Sequence, residues 1–248
     1  MTNKNKKKMI PIILIPARLN SSRLKKKLLR NINGKPIIIR VAKLAESLKI
    51  GDVIVGTDSK EILNICKQNK IKSVLTKKTH LSGTDRVHEV YKSLKKSYDV
   101  IVNLQGDLPV FEKKMFSQLI ELFNDNSVEI GSAVCDLTGN ELSDSNVVKA
   151  IVKLNKSKNG FAVDFKRSVE FNINVYHHIG IYAFKPNALE KFVNLPQSDN
   201  EKKRSLEQMR ALDHEMKIKL TKVSNAPPSV DTIEDLRRIR LHFKKNNL

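Results

Sequence analysis

Short runs of β-branched residues alternate with segments of helical period along the first half of the chain, and this alternation restricts the folds open to it. Between the runs, apolar residues recur three and four positions apart, as in helices that pack on a sheet. Elements that alternate in this way form a mostly parallel central sheet flanked by helices, so we predict an α/β fold. The predicted strands are Ile10–Ile15, Asp52–Thr57, Ile71–Leu75 and Asp99–Leu104, and the predicted helices are Ile37–Leu48, Ser59–Lys70, Arg86–Lys96 and Lys113–Phe123.

The second half of the chain has a different pattern. Val147–Leu154 and Gly160–Phe165 flank a polar turn, which predicts a β-hairpin excursion. No repeat or low-complexity linker divides the chain, so residues 9–248 are predicted to form a single domain after a basic, flexible tail over residues 1–8. The other predicted elements are a strand at Ile179–Phe184, a helix at Ser205–His214, an extended segment at Lys217–Val223 and a last helix from Thr232 to about Lys244.

Composition indicates the compartment. The two cysteines, Cys66 and Cys135, lie far apart and form no C-x-x-C pair, so neither a disulfide framework nor a zinc knuckle is indicated. No apolar run reaches the roughly 18 residues of a transmembrane helix. We therefore expect a cytoplasmic protein without membrane insertion.

The formal net charge of +20 could indicate nucleic acid, an acidic surface or anionic small substrates. Of the 46 basic residues 35 are lysine, and they are scattered rather than clustered. Aromatic residues make up only 5% and tryptophan is absent, which is unlike most nucleic-acid readers. We therefore expect no nucleic-acid partner and keep a basic RNA-binding or structural protein as the alternative from another class.

The first predicted strand runs into a basic loop, Pro16–Lys27, with five cations and several small polar residues. Arg18, Arg23 and Lys27 can neutralise a triphosphate, because guanidinium groups match phosphate oxygens and an ammonium supplies a point charge. A solvated basic loop would look the same by charge alone. The loop contains neither a Walker motif nor G-x-G-x-x-G.

Two aspartates are candidate Mg²⁺ ligands. Asp107 follows the fourth predicted strand in Gln105-Gly106-Asp107, at the edge where such sheets bind ligands. Asp231 comes just before the last predicted helix. Mg²⁺ is commonly held by one or two carboxylates together with substrate phosphates.

Helix capping is the competing explanation for Asp231. Asp231 with Glu234 has the spacing of a capping box, which needs no metal. Asp58 with Glu61 has the same spacing after the second strand, and we interpret that pair as a plain helix start.

Five motifs follow one another along nearly the whole chain after residue 8. They are Pro16-Ala17-Arg18 with Ser21, Arg23 and Lys27; His80-Leu81-Ser82-Gly83-Thr84-Asp85-Arg86; Gln105-Gly106-Asp107; Leu206-Glu207-Gln208-Met209-Arg210; and Val230-Asp231-Thr232 with Glu234, Asp235 and Leu236. In this order and spacing they resemble the 3-deoxy-manno-octulosonate (Kdo) cytidylyltransferase family, the CMP-Kdo synthetases. The resemblance implies a nucleotidyltransferase α/β sandwich and a homodimer. It also implies a transferase that joins CMP from CTP to the anomeric hydroxyl of Kdo for lipopolysaccharide synthesis.

The resemblance also implies roles for individual residues. Lys27, Asp107 and Asp231 would be catalytic, with Asp107 and Asp231 ligating Mg²⁺. Arg18, Ser21 and Arg23 would bind the CTP phosphates with Lys27, and Gln105 would face the sugar. The other implied substrate contacts are Arg86 and Arg167 for anionic groups, and His178, Tyr182, Glu207 and Gln208 for the sugar pocket.

The chain departs from the family pattern at several positions. Arg23-Leu24-Lys25-Lys26-Lys27 keeps the lysine but lacks two prolines and a glycine, Leu108 replaces a common glutamate, and Lys166–Glu170 differs near the sugar. The last change leaves an 8-amino octulosonate or a nonulosonate, such as a sialic acid, open as acceptor. A sugar-nucleotide glycosyltransferase is a further alternative, although it would not release pyrophosphate.

Overall fold

In the computed structural model, the alternating strands and helices of the first half form a sheet between two layers of helices. The structure describes residues 9–21, 23–170 and 173–246. The tail proposed for residues 1–8 lies outside these ranges. The strands are β1 (Pro11–Ala17), β2 (Asn31–Ile32), β3 (Lys35–Pro36), β4 (Asp52–Thr57), β5 (Ser73–Leu75), β6 (Val100–Asn103), β7 (Ile130–Cys135), β8 (Lys149–Val152), β9 (Asn159–Lys166), β10 (Val175–Phe184) and β11 (Ile218–Lys222). The α-helices are α1 (Ile37–Ser47), α2 (Lys60–Gln68), α3 (Gly83–Lys92), α4 (Lys113–Glu121), α5 (Pro186–Asn194), α6 (Asp199–Arg204), α7 (Gln208–Asp213) and α8 (Ile233–Lys245).

Within the described ranges, nine strands form one sheet in the order β5-β4-β1-β6-β10-β7-β11-β9-β8. The first four are parallel neighbours, as the sequence predicts. The second half is mixed, because β10 runs antiparallel to β6, β7 and β8 while β11 runs parallel to β7. The predicted hairpin is confirmed as the antiparallel pair β8–β9. The long strand β10 therefore joins the two halves of the sheet.

Strand β1 shows how the two hydrophobic cores arise. Its residues alternate sides, so Ile13 and Ile15 pack with α1, α2, α4 and α8, whereas Ile12 and Leu14 pack with α3, α5 and α7. All seven residues of β1 are buried, which is expected of a central parallel strand covered on both faces.

Helix boundaries differ from the predictions where capping decides them. Helix α3 begins at Gly83, three residues before the predicted start, because Ser82 and Asp85 form a capping box. The helix predicted over Ser205–His214 is present over the shorter range of α7, and α6 before it was not predicted. Ser205 has a left-handed backbone (φ 52°) that ends α6, and α7 starts separately.

The carboxyl ends of β1, β4, β5 and β6 lie at one edge of the sheet. The loops that follow them carry the predicted motifs, and this edge is where open α/β sheets bind ligands. No helix in the described ranges is long and apolar enough to cross a membrane.

Candidate active site

A cleft of about 470 Å³ opens at this edge of the sheet. It brings together residues from four of the five motifs, although these motifs are widely separated in sequence. Its lining residues are Pro16, Arg18, Asn20, Ser21, Arg23, Lys27, Leu28, Gly83, Gln105, Gly106, Asp107 and Asp231.

Lys27 lies between the two predicted metal ligands. Its Nζ is 2.5 Å from Asp107 Oδ2 and 3.1 Å from Asp231 Oδ1, and Arg23 Nη2 is 2.9 Å from the same Asp231 oxygen. Burial alone would lower the pKa of Lys27, but the two carboxylates outweigh it and hold the pKa above its usual value. The three residues predicted to be catalytic therefore form one charged cluster.

The capping of α8 leaves Asp231 available to the cleft. The N-cap is Thr232, whose hydroxyl accepts from Asp235 N while Asp235 Oδ2 accepts from Thr232 N. The alternative capping box of Asp231 with Glu234 is thus wrong by one residue. Val230 N also donates to Asp107 O at 3.0 Å, which fixes the two aspartate-bearing segments to each other.

Helix α2 is also capped one residue later than the sequence predicts. Ser59 is the N-cap and accepts from Ile62 N, so the interpretation of Asp58 with Glu61 as a helix start is also wrong. Glu61 instead binds Lys26 Nζ at 2.8 Å. Asp58 has a different role, because its Oδ2 accepts from Arg86 Nη2 at 2.8 Å and its Oδ1 accepts from Leu19 N at 3.4 Å.

Arg86, predicted to contact substrate anions, is fully buried and pairs with Asp58. It also donates to Thr76 Oγ1 and to the carbonyl of Lys77. Desolvation lowers the pKa of Arg86, and the Asp58 carboxylate opposes this. The pair ties α3 to the loop after β4, and Asp58 joins that loop to the one after β1 through Leu19 N. Arg18 lies on the cleft side, where its Nη2 donates to Leu81 O at 3.0 Å.

A chain of hydrogen bonds runs from the cleft into the second half of the fold. Gln105 Nε2 donates to Asn103 Oδ1 at 3.2 Å, Asn103 Nδ2 donates to Thr84 Oγ1 at 3.3 Å, and Thr84 Oγ1 donates to Glu207 Oε2 at 3.1 Å. Sequence reasoning assigned nothing to Asn103 or Thr84. The available signals were a polar residue ending an otherwise apolar strand and a threonine inside the His80–Arg86 motif.

Two residues predicted for the sugar pocket sit on β10. His178 is buried, and its Nε2 lies 2.9 Å from the hydroxyl of Ser132 on β7. Burial lowers the pKa of His178 to about 3, so the imidazole is neutral at physiological pH. Desolvation also raises the pKa of the neighbouring Tyr182 phenol well above its usual value. The two rings are 5.5 Å apart.

Arg167 and Gln208 occupy different settings. The guanidinium of Arg167 donates to the carbonyls of Arg204, Ser145 and Ser205, each at 3.1 Å. These hydrogen bonds hold the turn at Arg204 and Ser205 that leads to Glu207. Gln208 is buried at the start of α7 and lines a small cavity with Thr84, Tyr182 and Glu207.

Comparisons with known proteins agree with this geometry. Residues 12–218 match the protein family described as Cytidylyltransferase. The chain is 39% identical over 236 residues to the 3-deoxy-manno-octulosonate cytidylyltransferase of Bartonella henselae, and the aligned region covers 93% of this chain and 97% of that protein.

Solved structures give the same result. A CMP:2-keto-3-deoxy-manno-octonic acid synthetase in complex with CTP superposes with a TM-score of 0.87 at 30% identity, covering 96% of this chain and 99% of that one. The 4-diphosphocytidyl-2C-methyl-D-erythritol synthase of Anaerococcus prevotii superposes with a TM-score of 0.64 at 11% identity, covering 95% and 99%, which shows a shared fold alone. These matches confirm the predicted nucleotidyltransferase-type α/β fold and do not favour the nucleic-acid-binding alternative.

Proposed function

Because this chain belongs to the 3-deoxy-manno-octulosonate cytidylyltransferase family, and is therefore a cytidylyltransferase, we propose that it transfers CMP from CTP to Kdo and releases pyrophosphate. The anomeric hydroxyl of Kdo attacks the α-phosphorus, a new oxygen–phosphorus bond forms, and the bond to the β-phosphate oxygen breaks. The observation that carries the proposal is the cluster of Lys27, Asp107 and Asp231 at the carboxyl edge of the sheet.

The cleft residues suit a triphosphate. Arg18, Arg23 and Lys27 line it together with the small residue Ser21, and cations fixed beside phosphate oxygens stabilise the charge that develops on them during transfer. Gly106 allows the close packing of this edge, since a Cβ there would lie 3.2 Å from Pro16 O. We propose that the side chains of Arg18, Ser21, Arg23 and Lys27 bind the CTP phosphates.

A divalent metal is typical of this class of enzyme, and we propose that Asp107 and Asp231 hold Mg²⁺. The donor set fits, because Asp107 and Asp231 each place a carboxylate oxygen beside the same point, 2.5 and 3.1 Å from Lys27 Nζ, and Mg²⁺ commonly combines one or two carboxylates with phosphate and water oxygens. When bound, the ion would stabilise charge on the phosphates and lower the pKa of the attacking hydroxyl.

The same two carboxylates already bind Lys27 and Arg23. We propose that incoming phosphates attract these two cations and so release the carboxylates for the metal. Nucleotide and metal would then each strengthen the binding of the other, because such coupling is reciprocal.

Lys27→Met tests this exchange. We expect the variant to bind Mn²⁺ without nucleotide on the order of tenfold more tightly than wild type, since the competing ammonium is gone. The measurement is the electron paramagnetic resonance signal of free Mn²⁺ in a titration. Lys25→Met is the matched control, because it removes the same charge from an exposed position of the same loop. Equal Mn²⁺ affinities in the two variants would contradict the exchange.

We propose that the acceptor sugar binds beside the series of hydrogen bonds that runs from Gln105 to Glu207. Gln105, Tyr182, Glu207 and Gln208 would contact the sugar, with His178 supporting Tyr182 from behind. We also propose that the enzyme acts as a homodimer in the cytoplasm and that its product serves lipopolysaccharide synthesis.

Pyrophosphate release by the purified protein tests the function. With Mg²⁺ present, each of the four nucleoside triphosphates is combined with Kdo, 8-amino-Kdo or a sialic acid. We expect release only with CTP and Kdo. Release with CTP and another of these acids would retain the reaction class and replace the acceptor, whereas no release with any pair would refute the proposed function.

A further inference from the structure

Glu207 has two carboxylate oxygens in unequal settings. Oε2 accepts the hydrogen bond from Thr84 Oγ1 at 3.1 Å, whereas Oε1 is buried and has no hydrogen-bond partner among the described residues. The Ser82 hydroxyl lies near the Glu207 carboxylate but gives its proton to Asp85 Oδ2. A buried acceptor without a donor is costly, on the order of 1–3 kcal/mol. Such an oxygen is suited to a ligand that brings its own donor, and a sugar hydroxyl is one.

Thr84 is placed to set the direction of that free oxygen. It lies in the first turn of α3 and is only 2% exposed, so its side chain has little freedom to move. Its hydroxyl gives its single proton to Glu207 and accepts from Asn103 Nδ2 at 3.3 Å. The hydroxyl is thus bonded to both neighbouring side chains, as donor to Glu207 and as acceptor from Asn103.

The other end of the chain reaches the cleft. Asn103 is 1% exposed and accepts from Gln105 Nε2 at 3.2 Å. Gln105 lines the cleft beside Asp107. One set of hydrogen bonds therefore sets the orientation of side chains on both sides of Thr84.

We infer that Thr84 is a positioning residue for the acceptor sugar: its hydroxyl holds Glu207 Oε2 so that Oε1 faces the sugar, and it keeps Glu207 in register with Gln105 through Asn103. The inference rests on the proposed function for the identity of the acceptor. Thr84 itself does not line the cleft.

The test compares Thr84→Val, which keeps the shape and removes the hydroxyl, with Thr84→Ser, which restores the hydroxyl. Thr84→Val is expected to raise the KM for Kdo on the order of tenfold while the KM for CTP stays within about twofold. Thr84→Ser is expected to return the KM for Kdo close to the wild-type value. An unchanged KM for Kdo, an equal rise in both KM values, or a failure of serine to restore it would overturn the inference.

A second readout does not depend on catalysis. In crystals of the unliganded variants, the Glu207 carboxylate is expected to rotate away from its wild-type position in Thr84→Val and to keep it in Thr84→Ser. A carboxylate that is unmoved in the valine variant would refute the positioning role even if no acceptor were turned over. An inactive wild type with the expected carboxylate shift would instead count against the proposed function alone.

Discussion

Asp107→Asn is expected to lower the rate of pyrophosphate release from CTP and Kdo on the order of a hundredfold to a thousandfold at saturating Mg²⁺. Asparagine keeps the size of the side chain but removes the charge that would hold the metal and that now pairs with Lys27. Loss of a fixed charge beside the phosphates removes stabilisation of the transition state. The measurement is steady-state kcat with a coupled pyrophosphate assay.

Two further variants make this result specific. Asp231→Asn is expected to cause a loss of similar order, since Asp231 lies on the other side of the same ammonium. Asp136→Asn is the control, because Asp136 pairs with Lys222 at an exposed position and its side chain is 66% accessible. Near-normal kcat in both the Asp107 and Asp231 variants would rule out the proposed metal role of these carboxylates.

Glu201→Gln is expected to lower the free energy of unfolding by roughly 3–5 kcal/mol, since it leaves a buried guanidinium without its counter-charge. Glu201 accepts two hydrogen bonds from Arg210, at 2.6 and 2.8 Å, and both side chains are only 6% accessible. Arg210 also stacks on the ring of Phe192, 4.9 Å from its centroid. Urea denaturation of wild type and variant at pH 7 measures the difference.

Glu190→Gln is the control variant for Glu201→Gln. Glu190 pairs with Lys92 at the surface, where its side chain is 52% accessible, so the cost should stay below about 1 kcal/mol. Equal losses in the two variants would contradict the buried-pair explanation.

The effect of Glu201 also depends on pH. Burial raises the pKa of Glu201, but Arg210 outweighs it, so the folded-state pKa lies below the usual value. The stabilisation is present above the unfolded pKa of about 4.3 and is lost as pH falls through the folded value. The difference in the free energy of unfolding between wild type and Glu201→Gln should therefore become smaller below about pH 4.

The first half of the fold could be predicted because each element has a clear period. β4 lies at the predicted residues, and β1 and α1 differ from the predictions by no more than two residues at either end. The prediction missed β7, which contains Gly131 and Ser132 and so has no continuous β-branched run. It also missed α5, which begins at Pro186 directly after β10.

Site prediction depended on residue types that the chemistry requires. Charge and position made Lys27, Asp107 and Asp231 candidates, but the resemblance of the ordered motifs to a known family was needed to assign their roles, and the structure brings the three side chains together. Partners within the protein could not be found in this way. The pairing of Arg86 with Asp58 depends on the packing of α3 beside β4, which no local pattern reveals.

The capping of α8 shows the limit of pattern reasoning on a smaller scale. Aspartate, threonine and asparagine are all good N-caps, and the sequence Asp231-Thr232 offers two adjacent ones. Only the start of the helix at Ile233 decides between them. That one-residue difference leaves the Asp231 carboxylate out of the cap and paired with Lys27 and Arg23 in the cleft.

The bond between Val230 N and Asp107 O has a consequence for how the protein acquires activity during its synthesis. β1, β4, β5 and β6 have all left the ribosome long before the segment that carries Asp231. The parallel strands can therefore pair before the segment that carries Asp231 has been made, whereas the two aspartates come together only when that later segment docks. In this molecule, pairing of the parallel strands reports an early stage of folding, and the contact between Val230 and Asp107 reports a later one.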